Sequence, residues 1–343
     1  MTRLLDRPRA IPAGWTDAEW EGLINALSRR RFIANGLALG ALVLIPGCGG
    51  GDGDQPASSV APSPSQSQWT FTDDRGVAVS VPAQPKRIVA QITGAATLWD
   101  YGLRPVGVFG PMHMEDGSKA PQAGDIDIQS VESIGEAWGE FDLEKLASLR
   151  PDLVVTQSYS GEDTLWNIPP EAVPALKNIA PAASILVRDV PITQPLQRFE
   201  QLAKALGANL EAPENVDAKT SFNQAVDDLK AAIAEKPGLK VLVISGAPDN
   251  LYIANPKLAT DLVFYRELGM GIVMPETEEF WETLSWEQAN KYPADLILYD
   301  NRAGSSTLDQ LSAIETWRTL PAVQAGQIGP WNTEPTYSYK SYA

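Results

Sequence analysis

The side chains most often used for nucleophilic and metal chemistry are scarce in this sequence. It has one cysteine, Cys48, and one histidine, His113, among its 343 residues. A disulfide framework, a thiolate zinc site, an iron–sulfur cluster and a multi-histidine metal site are therefore excluded. Neither a G-x-S-x-G nor a G-x-x-x-x-G-K-[ST] motif is present. We expect a binding protein rather than an enzyme, with no cofactor and no metal site of its own.

The remaining chemistry lies in aromatic side chains and a few polar ones near predicted strand ends. Tyr159 follows one apolar run and Arg302 follows another, whereas two tryptophans fall in loops and three aromatic residues follow the last recognisable strand. Aromatic walls with a few polar groups suit a bulky organic ligand. The alternative for each aromatic residue is an ordinary core position. The candidate ligand-binding residues are Trp138, Tyr159, Trp281, Arg302, Trp331, Tyr337 and Tyr339.

The charge balance excludes another class of function. The chain has 27 Lys and Arg residues against 43 Asp and Glu residues, which gives a net charge of −16. So acidic a protein is poorly suited to binding a phosphate backbone. We therefore expect no nucleic-acid partner, and we expect a monomer.

Two stretches with the same order of predicted elements position the candidate residues. Residues 69–190 and 238–343 each alternate strands with helices, which favours parallel sheets. Apolar runs such as Leu153–Thr156 and Leu296–Tyr299 are typical of strands covered on both faces. The predicted fold is α/β, with two Rossmann-like lobes joined by a single long helix within linker helices 191–237. The ligand crevice should lie between the lobes, beyond the carboxyl ends of the strands.

Two glutamates occupy equivalent positions in the two lobes. Glu144 lies in the first turn of a helix that Asp142 is predicted to cap, and Glu287 lies in a helix that Ser285 is predicted to cap and that extends to Tyr292. A carboxylate in the first turn interacts favourably with the helix dipole, which is a purely structural explanation for both residues.

The first 47 residues have the pattern of an export signal. Ser28-Arg29-Arg30-Arg31-Phe32 precedes an apolar run that is shorter than the ~20 residues of a membrane-spanning helix. The arginine pattern is similar to the twin-arginine signal. The run ends in Leu44-Ile45-Pro46-Gly47-Cys48, which is similar to a lipobox and predicts lipid attachment at Cys48. The alternative is a buried amphipathic helix with an incidental thiol.

The segment after Cys48 predicts a tether. Residues 48–68 are mainly Gly, Ser, Pro, Gln and Asp, a composition that cannot form a core. A lipid followed by a tether would hold the lobes outside the cytoplasm, at the surface of the cell membrane. Cleavage before Cys48 would remove six arginines and four acidic residues, which changes the net charge from −16 to −18.

Beyond the tether, the chain resembles the ferric-siderophore and vitamin B12 binding proteins of ABC import systems, in particular actinobacterial lipoproteins of this type. The resemblance covers about residues 69 to 343, and five segments in the family's order support it together. They are Thr72-Asp73-Asp74-Arg75-Gly76, Pro85-Lys86-Arg87-Ile88-Val89, Leu143-Glu144 through Leu153, Leu284-Ser285-Trp286-Glu287 through Asp295, and Trp317 through Gly326.

The resemblance implies roles for several residues. The family places aromatic ligand contacts at the positions of Tyr159 and Trp281, and it uses one exposed glutamate in each lobe, here Glu144 and Glu287, to dock the permease. It often has an arginine near the position of Trp138, for which Arg302 is a possible replacement. The family usually ends in a further helix, whereas this sequence stops at Ala343. Either the sequence is truncated there or the last helix is absent, which would leave the covering layer of the second lobe incomplete.

The ligand implied by the family is an Fe(III)–siderophore chelate. Because the chain is strongly acidic and no basic cluster is predicted in the crevice, a ferric hydroxamate-type siderophore fits better than a highly anionic ferric catecholate. Haem and cobalamin stay open as alternatives, since aromatic crevices suit all these ligands. A Zn or Mn receptor of similar layout would use several His and carboxylate ligands, which this chain lacks.

Overall fold

Two β-sheets, one in each half of the chain, form the framework of the protein. The computed structural model describes residues 68–159 and 164–343. The predicted signal, Cys48 and the predicted tether as far as residue 67 lie outside the described residues. None of the helices within the two described ranges combines the length and the apolar character needed to span a membrane.

Thirteen strands and nine α-helices are present in the described ranges. The strands are β1 (Trp69–Thr72), β2 (Ala78–Val81), β3 (Ile88–Gln91), β4 (Gly107–Phe109), β5 (Glu132–Ser133), β6 (Leu153–Ser158), β7 (Ala182–Leu186), β8 (Lys240–Gly246), β9 (Asn250–Ala254), β10 (Gly271–Ile272), β11 (Trp281–Ser285), β12 (Leu296–Asp300) and β13 (Ile328–Trp331). The helices are α1 (Ile92–Asp100), α2 (Leu143–Ser148), α3 (Val173–Ile179), α4 (Thr193–Ala205), α5 (Pro213–Glu235), α6 (Thr260–Glu267), α7 (Leu308–Ala313), α8 (Glu315–Thr319) and α9 (Pro321–Gln324).

The first lobe is built on a parallel sheet with the strand order β5-β4-β3-β6-β7. Both central strands, β3 and β6, are buried along their whole length. This burial explains their continuous apolar sequences, because helices cover both faces of the sheet. The hairpin β1–β2 is fastened to β7: Asp73 Oδ2 accepts a hydrogen bond from the Ser184 backbone N–H (3.0 Å), and Arg75 Nη2 donates to the Ala182 carbonyl (2.8 Å).

The second lobe is built on a mixed sheet with the order β11-β9-β8-β12-β13, to which β10 adds beside β8. The three strands β8, β12 and β13 are parallel, as expected, but β9 and β11 run antiparallel to their neighbours. The predicted α/β fold with parallel strands is thus confirmed, and β9 and β11 add an antiparallel part to the sheet of this lobe. The chain reverses directly after β8, where the Ala247 backbone N–H bonds to the Asn250 carbonyl (2.9 Å).

The helix predicted to begin at Ser285 is also corrected. Ser285 ends β11, where it pairs with Asn250, and only a single 3-10 turn follows, at Trp286–Gln288. Trp281, predicted in a loop, is the first residue of β11. In the first lobe the corresponding expectation is correct, because the side chain of Asp142 caps α2 by accepting from the Lys145 backbone N–H (2.8 Å).

The long helix that joins the lobes is α5. At a rise of about 1.5 Å per residue, its 23 residues extend about 35 Å. Phe222, near its middle, packs into the core of the first lobe, whereas Leu229, two turns later, packs into the core of the second. The preceding helix α4 packs entirely on the first lobe, where it buries Phe199 and Leu202.

The lobes are also connected by backbone pairing and by the C-terminal tail (residues 333–343). Arg188 and Ala259 form a β-bridge, flanked by a hydrogen bond from the Ile192 N–H to the Thr260 carbonyl (2.9 Å). The tail follows the last strand of the second lobe but packs on the first lobe. There Tyr337 stacks on Phe199, with ring centroids 5.5 Å apart.

Candidate ligand-binding site

Six aromatic side chains form a continuous row between the lobes. Neighbouring ring centroids are 4.4–6.4 Å apart, which is the range of direct aromatic contact. The first three residues belong to the first lobe and the last three to the second, and the Tyr159–Phe280 contact (6.4 Å) crosses from one to the other. In order, the aromatic row is Trp138, Trp166, Tyr159, Phe280, Trp281 and Trp331.

Strand ends position the row in both lobes. Tyr159 follows β6 directly, and the chain then returns so that the Trp166 backbone N–H bonds to the Gln157 carbonyl (2.9 Å). Trp281 begins β11, and Trp331 ends β13 opposite Asp300 of β12. Tyr159 and Trp331 therefore lie at the carboxyl ends of the parallel strands β6 and β13, the location expected for ligands in open α/β sheets, and Trp281 meets Trp331 from the start of β11.

The row changes from solvent-exposed to buried along its length. Trp138, in a turn as predicted, is 69% exposed, whereas Trp331 is only 6% exposed. Trp166, Tyr159, Phe280 and Trp281 are half-buried. Burial also raises the pKa of the Tyr159 hydroxyl, so this group is a neutral hydrogen-bond donor at any physiological pH.

Beside the row lies a charged cluster formed by Asp300, Arg302 and Glu334. Arg302 Nε is 2.9 Å from Asp300 Oδ2, and Arg302 Nη1 is 3.0 Å from Glu334 Oε1. Burial lowers the pKa of Arg302, but the two carboxylates outweigh that effect and raise it. Burial raises the pKa of Glu334, although Arg302 opposes the shift. The guanidinium of Arg302 is thus paired with the carboxylates of Asp300 and Glu334, and the cluster is largely shielded from solvent.

A further buried carboxylate supports the inner end of the row. Trp331 Nε1 donates to Asp261 Oδ2 (2.6 Å), and the Leu262 backbone N–H donates to Asp261 Oδ1 (2.8 Å). Burial raises the pKa of Asp261 to about 6 in spite of these two bonds. The indole of Trp331 is therefore fixed in orientation by a group at the start of α6.

Several buried polar atoms close to these strand ends have no hydrogen-bond partner among the described residues. They belong to uncharged side chains in both lobes and could donate to or accept from a ligand. The atoms are Gln157 Oε1, Trp166 Nε1, Asn301 Oδ1 and Thr333 Oγ1. No group of three or more His, Cys, Asp or Glu side chains in the described ranges is arranged to hold a metal ion.

The structure places five of the seven predicted ligand-binding residues in the row or beside it. Trp138, Tyr159, Trp281 and Trp331 belong to the row, with Arg302 beside it. Tyr337 and Tyr339 lie outside the row, although the Tyr337 side chain is hydrogen-bonded to that of Tyr159. Tyr337 is 1% exposed within the core of the first lobe, and Tyr339 packs against Phe222 of α5 (5.3 Å).

Four residues of this region were not predicted. Trp166 and Phe280 complete the row, Glu334 holds Arg302, and Gln122 accepts a hydrogen bond from the Ala303 backbone N–H across the lobes (3.0 Å). Phe280 is adjacent to the predicted Trp281, so an extension of that prediction by one residue would have found it. Gln122 and Glu334 have no local signal, because only the tertiary fold brings them to the site.

The two glutamates predicted to dock a permease are both exposed. Glu144 lies in the first turn of α2, and Glu287 lies in the 3-10 turn after β11. A hydrogen bond from the Ser285 side chain lowers the pKa of Glu287, so it is ionised at neutral pH. His113 is in a loop, where its Nδ1 atom is 3.0 Å from Glu136 Oε2.

Comparisons with known proteins agree with this architecture. The sequence profile of a family described as periplasmic binding protein matches residues 89–333. The chain is similar to DesE, a ferric-siderophore receptor protein from Streptomyces coelicolor, with 40% identity and a TM-score of 0.77 over 80% of this chain and 93% of DesE. It is 23% identical over 257 residues to the Fe(3+)-citrate-binding protein YfmC of Bacillus subtilis (strain 168), which is 75% of this chain and 76% of YfmC.

A more distant match shows the shared fold alone. The siderophore binding protein FhuD from Vibrio cholerae, solved with Fe3+–Desferal, is 19% identical and superposes with a TM-score of 0.54. The match covers 75% of this chain and 94% of FhuD.

Proposed function

The chain belongs to the periplasmic binding protein family, and from this premise we propose that it captures a ferric siderophore outside the cytoplasm and delivers it to an ABC importer. The relatives described above are binding proteins rather than enzymes. Their ligands are ferric chelates, and the relative with 40% identity is a ferric-siderophore receptor.

The aromatic row is the observation that carries this proposal. A siderophore chelate is bulky, and its outer shell is mostly organic, so its burial against aromatic rings supplies much of the binding free energy. Because both lobes contribute rings, a ligand at the row would contact both lobes. We propose Trp138, Trp166, Tyr159, Phe280, Trp281 and Trp331 as the apolar wall, with Arg302 able to donate to ligand oxygens.

Charge favours a hydroxamate-type siderophore over a catecholate. The guanidinium of Arg302 is already held by Asp300 and Glu334, so the site offers no unbalanced positive charge. The mature chain would carry a net charge near −18 (−16 − 2). A highly anionic chelate would meet an unfavourable field both at the site and at long range.

The assignment is tested by fluorescence titration of the protein without its signal. Ferrioxamine, ferrichrome, a ferric tris-catecholate, ferric citrate, cobalamin and haemin are added in turn. We expect saturable quenching by the two hydroxamates at the lowest concentrations, because the row contains four tryptophans. Trp99→Phe is a matched control, since this indole lies under Arg104 (4.1 Å), apart from the row. Tight binding of haemin or cobalamin with no affinity for ferric chelates would refute the siderophore assignment.

Delivery requires a docking surface for the permease. We propose that Glu144 and Glu287, one exposed carboxylate on each lobe, pair with arginines of the permease. Neither side chain belongs to the row or to the charged cluster, so docking and ligand binding would use separate residues. We propose further that the protein acts as a monomer, which sedimentation of the ligand-bound protein would check.

The N-terminal sequence supports a lipid anchor. We propose that residues 1–47 are a twin-arginine export signal and that Cys48 carries lipid that holds the protein at the cell membrane. Cys48→Ala should abolish lipid labelling and release the protein from membranes. Retention of that variant in the membrane fraction would contradict the anchor.

A further inference from the structure

The charged cluster pairs its arginine with two carboxylates, and an arginine that only binds an anionic ligand would not need both of them. Arg302 is its one cation, whereas Asp300 and Glu334 are both carboxylates, so the cluster has a formal charge of −1 when all three are ionised. Asp300 has further partners, because Ser305 Oγ donates to its Oδ2 atom (2.9 Å). Asp300 is thus a fixed structural partner, and Glu334 is the additional carboxylate.

Glu334 reaches Arg302 from a separate segment of the chain. It belongs to the C-terminal tail, 32 residues after Arg302, and its backbone N–H bonds to Asn332 Oδ1 (3.0 Å). Glu334 is 8% exposed, so its carboxylate is largely desolvated. The guanidinium of Arg302 is the positive charge that balances it. In water-poor surroundings the charge of such a group acts strongly on any ligand nearby.

The cluster lies against the aromatic row. The charges of Glu334 and of Arg302 both act on the hydroxyl of Tyr159, a member of the row from the opposite lobe. The loop that carries Arg302 is itself tied to the first lobe through Ala303 and Gln122. A chelate packed on Tyr159 would therefore lie within reach of the field of all three charged groups.

We propose that Glu334 sets the charge selectivity of the site: as the second carboxylate on Arg302, it gives the cluster a net negative charge, so the crevice accepts neutral or cationic ferric chelates and disfavours anionic ones. This inference rests on the proposed siderophore function and adds the charge class of the ligand and the residue that determines it. Without Glu334, the pair of Arg302 and Asp300 would have no net charge, so an anionic ligand would no longer meet a net negative charge in the cluster.

Three ferric chelates distinguish the charge classes. Three hydroxamates balance Fe(III), so ferrichrome is neutral, and ferrioxamine B is cationic because of its pendant ammonium group. A ferric tris-catecholate carries three negative charges. For the wild-type protein we expect the affinities of ferrioxamine B and ferrichrome to exceed that of the tris-catecholate by at least about tenfold, since like charges repel in a low-dielectric site.

The decisive variant is Glu334→Gln, which keeps the side-chain shape and an oxygen acceptor for Arg302 but removes the charge. We expect the ratio of tris-catecholate affinity to ferrichrome affinity to rise about tenfold or more. Glu200→Gln is the matched control: it removes one negative charge from an ion pair with Lys219 (2.6 Å) on the α4–α5 side of the first lobe. It changes the net charge equally, so any long-range effect appears in both variants.

The outcomes separate this inference from the proposed function. Equal affinity ratios in Glu334→Gln and Glu200→Gln would overturn the role of Glu334 even if ferrichrome binds tightly. A wild-type protein that binds the tris-catecholate most tightly would overturn the selectivity itself, and this measurement does not depend on how the variant folds. Failure of every ferric chelate to bind would refute the siderophore function instead. Circular dichroism of both variants establishes that the ratios compare folded proteins.

Discussion

The two lobes contribute different chemistry to the same site. From the first lobe come Trp138, Trp166 and Tyr159, together with the amide of Gln122, none of which is charged. The second lobe brings three aromatic side chains as well, but Asp261, Asp300 and Arg302 also come from it, and Glu334 follows its last strand. The first lobe thus contributes only uncharged side chains to the site, whereas the second contributes both aromatic and charged side chains.

The difference arises from the topology of the sheets. In the first lobe the strands are parallel, so the residues that reach the site are those that come directly after the carboxyl ends of the strands. In the second lobe the antiparallel strands β9 and β11 form one side of the sheet, and the residues at the start of β11 add Phe280 and Trp281 to the row. Lobes that have a similar order of elements in sequence therefore present different surfaces.

The strongest test of this comparison asks whether the lobes are equivalent in docking. Reversing both glutamates, as Glu144→Lys with Glu287→Lys, should stop siderophore uptake while the affinity for the ligand stays within error. Each single reversal should reduce uptake, and unequal losses would show which lobe contributes more to docking. Uptake of radiolabelled iron chelate and titration of the purified variants provide the two readouts. A large loss of ligand affinity would instead make these residues part of the binding site.

A second difference between the lobes is that the second lobe contributes a buried acid, Asp261, to the support of the aromatic row. Burial raises the pKa of Asp261 from 3.8 to about 6, so between these values the folded protein holds a proton that the unfolded chain has lost. Stability should therefore fall as the pH rises from about 4 to about 6 and stay lower above it, by about 3 kcal/mol. Urea unfolding at several pH values measures this dependence.

The variant Asp261→Asn isolates that contribution. It removes the ionisation, so the pH dependence between 4 and 6 should become shallower than in the wild type. Asp309→Asn, at an exposed position in the first turn of α7, is the control and should retain the wild-type dependence. Equal slopes for wild type and Asp261→Asn would show that Asp261 is not the group responsible.

A third prediction contrasts the exposed end of the row in the first lobe with its inner part in the second. Trp281→Ala should weaken ligand binding at least tenfold, because loss of a buried aromatic anchor typically costs about 2 kcal/mol or more. Trp138→Ala should have a smaller effect, since this ring is 69% exposed and exposed rim contacts contribute little. Isothermal titration with the same chelate measures both. A larger loss for Trp138 would place the ligand at the outer end of the row.

Local sequence signals were sufficient for much of the framework. The strand that ends before Tyr159, the strand that ends at Asp300 and the Asp142 cap were all predictable, since each depends on neighbouring residues. Ser285 has an equally good capping signal, but its backbone pairs with Asn250 in β11, and that ladder prevails over the local preference. The helix predicted at Ser285 is therefore wrong because strand pairing with a distant segment, which local sequence does not reveal, determines the structure there.

The site was only partly predictable for the same reason. Strand ends indicated Tyr159 and Arg302, because parallel strands share one edge of a sheet. The path of the tail was not predictable from local sequence. The tail takes Tyr337 and Tyr339 to the first lobe, and Glu334 was missed although it contacts Arg302.

The tail also limits how independent the two lobes can be. It leaves the second lobe after Trp331, and Tyr337 enters the core of the first, where its backbone N–H bonds to Thr97 Oγ1 (2.9 Å). Together with α5 and the pairing of Arg188 with Ala259, it is a third connection between the lobes. Three connections favour a single cooperative unfolding transition and only a small opening of the crevice.

The smallest expected effect tests that third connection. Ser338 is buried and its Oγ donates to Asp100 Oδ2 (2.6 Å), a carboxylate whose pKa is raised by burial and which therefore needs its hydrogen bond. Ser338→Ala should lower the free energy of unfolding by about 1 kcal/mol, the usual net value of such a bond. Ser312→Ala, which removes an exposed hydroxyl bonded within α7 (2.7 Å), should change it by less than about 0.5 kcal/mol. Urea unfolding measures both changes. If the two variants lose the same free energy of unfolding, the bond between Ser338 and Asp100 does not stabilise the contact of the tail with the first lobe.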